Sequence, residues 1–111
     1  MKTSELQGAA LDYAVAIGVG LVSDETPRYA GNIEYSFKPS TNWQDGGPII
    51  ERKSIEICHL DNGEWRAQLN AKGCGPYCRQ YGPTPLVAAM RCYVVSELGE
   101  EVEMFNEVSS I

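Results

Sequence analysis

The run Glu56-Ile57-Cys58-His59-Leu60-Asp61-Asn62-Gly63-Glu64-Trp65-Arg66-Ala67-Gln68-Leu69 decides how this chain folds. Asn-Gly is a favoured pair for a two-residue type I′ turn, whose central positions both need positive φ, and here it stands between two β-type segments. A turn at Asn62-Gly63 sets Leu60 against Trp65, Cys58 against Ala67 and Glu56 against Leu69, giving one mostly apolar face. His59 then pairs with Arg66 and Ile57 with Gln68 on a mixed face that suits solvent or a ligand.

Downstream of the hairpin, Gly73-Cys74-Gly75-Pro76-Tyr77-Cys78-Arg79-Gln80-Tyr81-Gly82-Pro83 is so rich in Gly and Pro that it reads as a long loop. Thr84 is placed to N-cap a helix whose first residue is Pro85, and Gly99 stands just past its far end. Leu86, Val87, Ala89, Met90, Tyr93, Val94, Val95 and Leu98 leave that helix little polar face, which marks it as the central core element. Beyond it, Val102-Glu103-Met104-Phe105 predicts an edge strand and 106–111 a frayed tail.

Upstream, Leu6, Ala10, Tyr13, Ala14 and Ile17 recur at helical spacing, with Gln7 and Asp12 off the stripe; a helix over 4–17 follows, capped by Thr3 or Ser4. From 22 to 40 the pattern degrades into loop with one short strand. Ser40-Thr41-Asn42-Trp43-Gln44-Asp45-Gly46-Gly47-Pro48 opens on capping residues and closes on chain breakers, so at most one helical turn fits and Trp43 is presented on a turn. The sum is an α+β fold: two main helices packed on a small antiparallel sheet built around the hairpin, in a single compact domain over 1–111.

The chain has 111 residues, 43% of them hydrophobic and 22% charged, a composition that folds into one modest core. A formal net charge of -6 repels polyanions, so general nucleic-acid binding is disfavoured. The opening Met1-Lys2-Thr3-Ser4-Glu5-Leu6 has no export signal, and no apolar run reaches membrane-span length. A cytosolic setting is expected, and there Cys58, Cys74, Cys78 and Cys92 are expected as reduced thiols.

Three stretches carry a family resemblance. Ser40 to Glu51 (STNWQDGGPIIE), Trp65-Arg66-Ala67, and the run from Gly82-Pro83-Thr84-Pro85-Leu86 to Tyr93-Val94 together resemble the NinX-like family of lambdoid phage proteins, as does the start around Glu5-Leu6-Gln7-Gly8-Ala9-Ala10-Leu11-Asp12-Tyr13. The resemblance spans most of the chain except 22–28 and 71–80. It implies a phage or prophage accessory protein, not a virion part, and it transfers no catalytic residue. The cysteines of 71–80 lie outside the family's pattern.

Candidate chemistry centres on the start of the second helix. Unpaired N–H groups behind Thr84 could hold a phosphate or carboxylate, or Thr84 could serve only as a rigid cap. Arg91, two turns on, could meet that anion or make a structural ion pair with Glu51, Glu34 or Glu5. Trp43 could stack a base, with Asn42, Gln44, Asp45, Gly46 and Gly47 beside it, while Trp65 reads more as core. Arg79 and Tyr81 add cationic and aromatic groups from the loop.

Cys58, His59, Cys74 and Cys78 match zinc-ligand spacing poorly, and no P-loop, dinucleotide fingerprint or nucleophile–base pair is present, so no metal, cofactor or catalytic constellation is expected. The function expected is a non-catalytic binder of a small phosphorylated or nucleotide-like ligand, sequestering a host metabolite or defence signal. The alternative is an acidic inhibitor or adaptor of a host protein, and either could act as a homodimer.

Overall fold

Two antiparallel strands flank the Asn62-Gly63 pair: β1, Glu56–His59, and β2, Trp65–Leu69. The computed structural model in which they are seen describes residues 2–20, 37–69 and 78–102. The hairpin exists as expected, but its register is shifted by one residue. Leu60 N donates to Glu64 O at 2.8 Å and Gly63 N to Leu60 O at 3.0 Å, so the loop is the three residues 61–63. Gly63 takes φ of 91°, the left-handed residue that closes three-residue hairpin loops. Asn62 accepts from Glu64 N at 2.9 Å, which spends its side chain on the longer loop.

Because side chains alternate along a strand, that one-residue difference turns β1 over. Ile57, not Cys58, faces Ala67; Cys58 faces Arg66, and His59 faces Trp65. The change puts the branched apolar side chain of Ile57 against the core and the exposed Cys58 outside. His59 stacks on the Trp65 ring at 4.4 Å between centroids, and the other parts of Trp65 pack on the core.

A third strand, β3 (Cys78–Gly82), pairs antiparallel with β2 and completes a sheet of order β1-β2-β3. It corrects the reading of 73–83 as loop throughout. The open edge of β2 supplies partners for the backbone, and Pro83 comes one residue after the strand ends, where its missing N–H breaks no ladder bond. Gly82 is the strand's contact with the following helix: a Cβ there would meet Ala88 N at 2.8 Å. One face of the sheet carries Ile57, Ala67, Leu69 and Cys78 into the core, and the other carries Glu56, Cys58, Arg66, Gln68, Arg79 and Tyr81 outward.

The last helix, Pro85–Leu98, is as the sequence predicts, with Thr84 Oγ1 accepting from Val87 N at 3.1 Å and Gly99 at its end. Nine of its fourteen residues are buried, and it touches every other described element, so it is the axis on which the layers assemble. Side chains such as Leu86, Met90 and Val94 each contribute about 1.5–3 kcal/mol by leaving water.

Two further helices lie on it: α1, Gly8–Val19, and α2, Trp43–Lys53, which makes the C-terminal helix α3. The start of α1 is later than predicted. Thr3 does not cap it but begins a separate 3-10 turn, Thr3–Glu5, and is buried: its N–H donates to Glu100 O at 2.8 Å and its hydroxyl to Gly99 O at 2.7 Å. Lys2 and Glu101 form an isolated antiparallel bridge beside these bonds, and Val102, the first residue of the expected 102–105 strand, is in no strand; 103–105, the 22–36 stretch and the 106–111 tail lie outside the described residues.

Helix α2 corrects the expectation that 40–48 holds only a turn. Its eleven residues include Gly46, Gly47 and Pro48, poor helix formers whose cost is overridden by packing on α3. Gly46 is buried because a Cβ there would stand 2.6 Å from Pro39 O and 2.7 Å from Leu86 Cδ2.

The cysteines also depart from expectation. Cys78 is disulfide-bonded to a partner outside the described residues, whereas Cys58 and Cys92 are free thiols. Cys92 is fully buried and donates to Cys78 O at 2.7 Å, and burial pushes its thiol up to about 12. The thiolate is the reactive form, so a maleimide at neutral pH should label exposed Cys58 and leave Cys92 untouched until denaturant is added. Comparable labelling of both thiols in the native protein, read by mass spectrometry, would contradict this burial.

Candidate functional site

The loop ahead of α2 is fastened residue by residue. Asp12, on α1, accepts from Ser40 N at 2.9 Å; Asp45 Oδ2 accepts from Lys38 N at 2.8 Å; and Asn42 Oδ1 caps the helix by accepting from Gln44 N at 2.9 Å. These bonds hold 38–42 in one conformation, and Trp43 leaves it as the first helical residue. Trp43 is 54% exposed, and among the described residues the other exposed large hydrophobic is Tyr81 at 45%.

Asp12 was expected off the buried stripe of α1, yet it is 7% exposed. Burial raises its carboxyl above the usual 3.8, against the lowering effect of the bond from Ser40 N and the charge of Lys38; Asp45 adds repulsion. A raised folded-state value means that the folded protein binds this proton more tightly than the unfolded chain does. The group's contribution is therefore full below 3.8 and is lost as pH rises through the elevated value. Asp12→Asn keeps an acceptor for Ser40 N without the charge, so the variant should match the parent in acid and gain on it as pH rises. Asp12→Leu should lose about 1–3 kcal/mol, since it orphans a buried N–H. Urea titrations across pH check both, and an Asn variant that loses ground with rising pH would refute the reading.

The ten candidate residues separate into groups on different faces. Asn42, Trp43, Gln44, Asp45, Gly46 and Gly47 form the start of α2, and Gly46 packs on Leu86, two residues past the Thr84 cap, so the starts of α2 and α3 adjoin. Arg91 is five positions beyond Leu86, about 140° round the helix, and points away from α2.

Its guanidinium donates from Nε to Leu6 O at 2.8 Å and from Nη1 to Tyr81 O at 2.7 Å. Arg91 thus has a structural role in another form: among the described residues two backbone carbonyls, not Glu5 or Glu51, receive its bonds, and Glu34 lies outside those residues. Desolvation lowers its pKa, and the charge of Glu64 opposes that shift. Arg79 and Tyr81 project from the outer face of the sheet, opposite the helices. There Arg79 Nε donates to Gln68 Oε1 at 3.1 Å, and Gln68 Nε2 to Glu56 Oε1 at 3.0 Å.

One feature escaped the sequence because 40–48 was read as a turn. Once α2 is a helix, Trp43, Gly47 and Glu51 fall at successive i, i+4 positions along its outward side, with Gln44 and Pro48 beside them. Gln44, Pro48 and Glu51 are exposed, and a Cβ on Gly47 would meet nothing within 4 Å. The run of four-residue spacing from Trp43 to Glu51 was the available signal.

A cavity of about 290 Å³ is lined by Lys2, Ser4, Gln80, Glu100 and Glu101, none of them a sequence candidate. Among the described residues no group of three or more His, Cys, Asp or Glu side chains is arranged to hold a metal ion. No helix of the described residues is long and apolar enough to cross a membrane.

Compared with known proteins, residues 2–97 match the family described as "Bacteriophage P22, NinX". No curated protein matches the chain.

Proposed function

The chain belongs to the NinX family of bacteriophage proteins, and on that premise we propose that it is a phage accessory protein that binds a host protein through the outward side of α2, without catalysing a reaction. The observation that carries this reading is the half-exposed indole of Trp43 on a rigidly capped helix start. A large aromatic carried on a backbone fixed by hydrogen bonds binds without paying the entropy of ordering that backbone, and Trp is among the residues enriched at interface hot spots. The acidic net charge of -6 would steer it to a basic partner in the bacterial cytosol.

A photo-crosslinker installed at exposed Gln44 tests the docking. A stoichiometric adduct formed in host cells and lost in Trp43→Ala supports it; an adduct indifferent to Trp43 removes it. Sequestration of a small phosphorylated or nucleotide-like ligand is a second reading, favoured by the adjoining starts of α2 and α3. Native mass spectrometry and calorimetry against nucleotides, with turnover followed in parallel, separate that reading and an enzymatic one from protein binding. Sedimentation of the free protein determines whether it acts as a homodimer.

A further inference from the structure

Gly46 and Gly47 stand side by side in α2, and intramolecular packing explains only the first. A Cβ on Gly46 would collide with Pro39 O and Leu86, whereas one on Gly47 would meet nothing within 4 Å, and Gly47 has no positive φ to justify it. A glycine inside a helix lowers helix stability relative to alanine, so the fold itself would gain from a side chain here. The bare position is bounded one turn back by the exposed indole of Trp43 and one turn on by the exposed carboxylate of Glu51, which has no ion-pair partner among the described residues. The three positions follow one another along one side of the helix over about 12 Å of its axis.

We propose that the Trp43-Gly47-Glu51 stripe is a seat for a Lys or Arg side chain of the partner protein, its stem lying on bare Gly47, its aliphatic part against the indole and its charge neutralised by Glu51. The proposal rests on the docking surface given under Proposed function and names the chemistry of what docks. Two charge arguments favour a cationic occupant over an acidic or apolar one: Glu51 would otherwise be desolvated without a partner, and the whole chain is anionic at -6. The methylene stem of a Lys or Arg covers apolar surface such as an indole while its charged head stays free to reach a carboxylate, and Gly47 lets that stem approach the helix backbone closely.

The test uses the whole protein, labelled with nitrogen-15, titrated with Gly-Ser peptides of equal length carrying Arg, Lys, Glu or Leu. The Arg and Lys peptides should give saturable shifts at the Trp43 indole and at the Gly47 and Glu51 amides, and the Glu and Leu peptides none. Gly47→Leu should weaken the Arg peptide by about tenfold or more while the melting temperature stays equal or rises, which excludes unfolding as the cause. Glu51→Gln should weaken it similarly, and Glu56→Gln, a carboxylate on the outer sheet face, should not. Shifts spread over the surface, equal affinity in the Gly47 and Glu51 variants, or preference for the Glu or Leu peptide would each overturn the seat. If the Trp43-dependent adduct at Gln44 survives both Glu51→Gln and about 0.5 M salt, docking through α2 stands and the cationic seat falls. If that adduct is indifferent to Trp43, both fall.

Discussion

Arg91→Ala should destabilise the protein by about 2–4 kcal/mol, although no carboxylate among the described residues pairs with the guanidinium at contact distance. The reason is where the bonds go. Leu6 O belongs to the segment entering α1, Tyr81 O belongs to β3, and one half-buried side chain on α3 bonds both. Truncation leaves two carbonyls without these donors at the junction of three elements, and each lost bond to a charged donor costs more than a neutral one. Arg91→Lys should recover only part of the loss, since an ammonium is a point donor and cannot reproduce a planar fork directed at two acceptors. Urea unfolding gives the magnitude, and amide exchange over 2–6 gives the location. A loss below about 0.5 kcal/mol in the alanine variant, within the range of ordinary surface substitutions, would show that the two bonds do not hold the segment.

The adjacent glycines of α2 should respond in opposite directions to the same change. Gly46→Ala should cost about 1–3 kcal/mol by overpacking, because its methyl group arrives 2.6 Å from Pro39 O. Leu86 Cδ2, at 2.7 Å, is the end of a flexible side chain and can move; the Pro39 carbonyl is backbone in a loop fastened by Asp12 and Asp45. Displacing that loop would carry Trp43 with it, so Gly46→Ala should also move the Trp43 indole resonance. Gly47→Ala meets no atom and should raise stability by about 0.5–1 kcal/mol through helix propensity alone. Paired chemical denaturation of the two variants decides this, and losses of equal size would mean that α2 does not lie on Pro39 as described.

What the sequence disclosed follows from how local each signal is. Helix α3 was legible to the residue because its cap, its proline start, its terminal glycine and its apolar pattern all point the same way. The hairpin was legible as an element but not in register, since Asn-Gly serves both two-residue and three-residue loops and only the burial of Ile57 against Ala67 selects between them. Strand β3 and helix α2 were hidden for one shared reason: Gly82 and Gly46 look like breakers locally and act as points of close approach to α3. The site suffered accordingly. Trp43 and its neighbours could be put forward from residue type alone, but the stripe that Gly47 and Glu51 continue needed the helix, and the position of Arg91 needed its bonds to Leu6 and Tyr81. Asp12 was missed because its partner, Ser40 N, is a backbone group twenty-eight residues away.

The long-range fastening of 2–6 also has a temporal consequence. Thr3 bonds Gly99 across 96 positions and Arg91 bonds Leu6 across 85. On a translating ribosome the earliest of these residues emerge long before their receptors are made, so they must wait, unseated, while the hairpin closes and α3 clears the exit tunnel. Residues 2–6 therefore settle only after α3 is complete, and until then that segment stays open to chaperones and proteases.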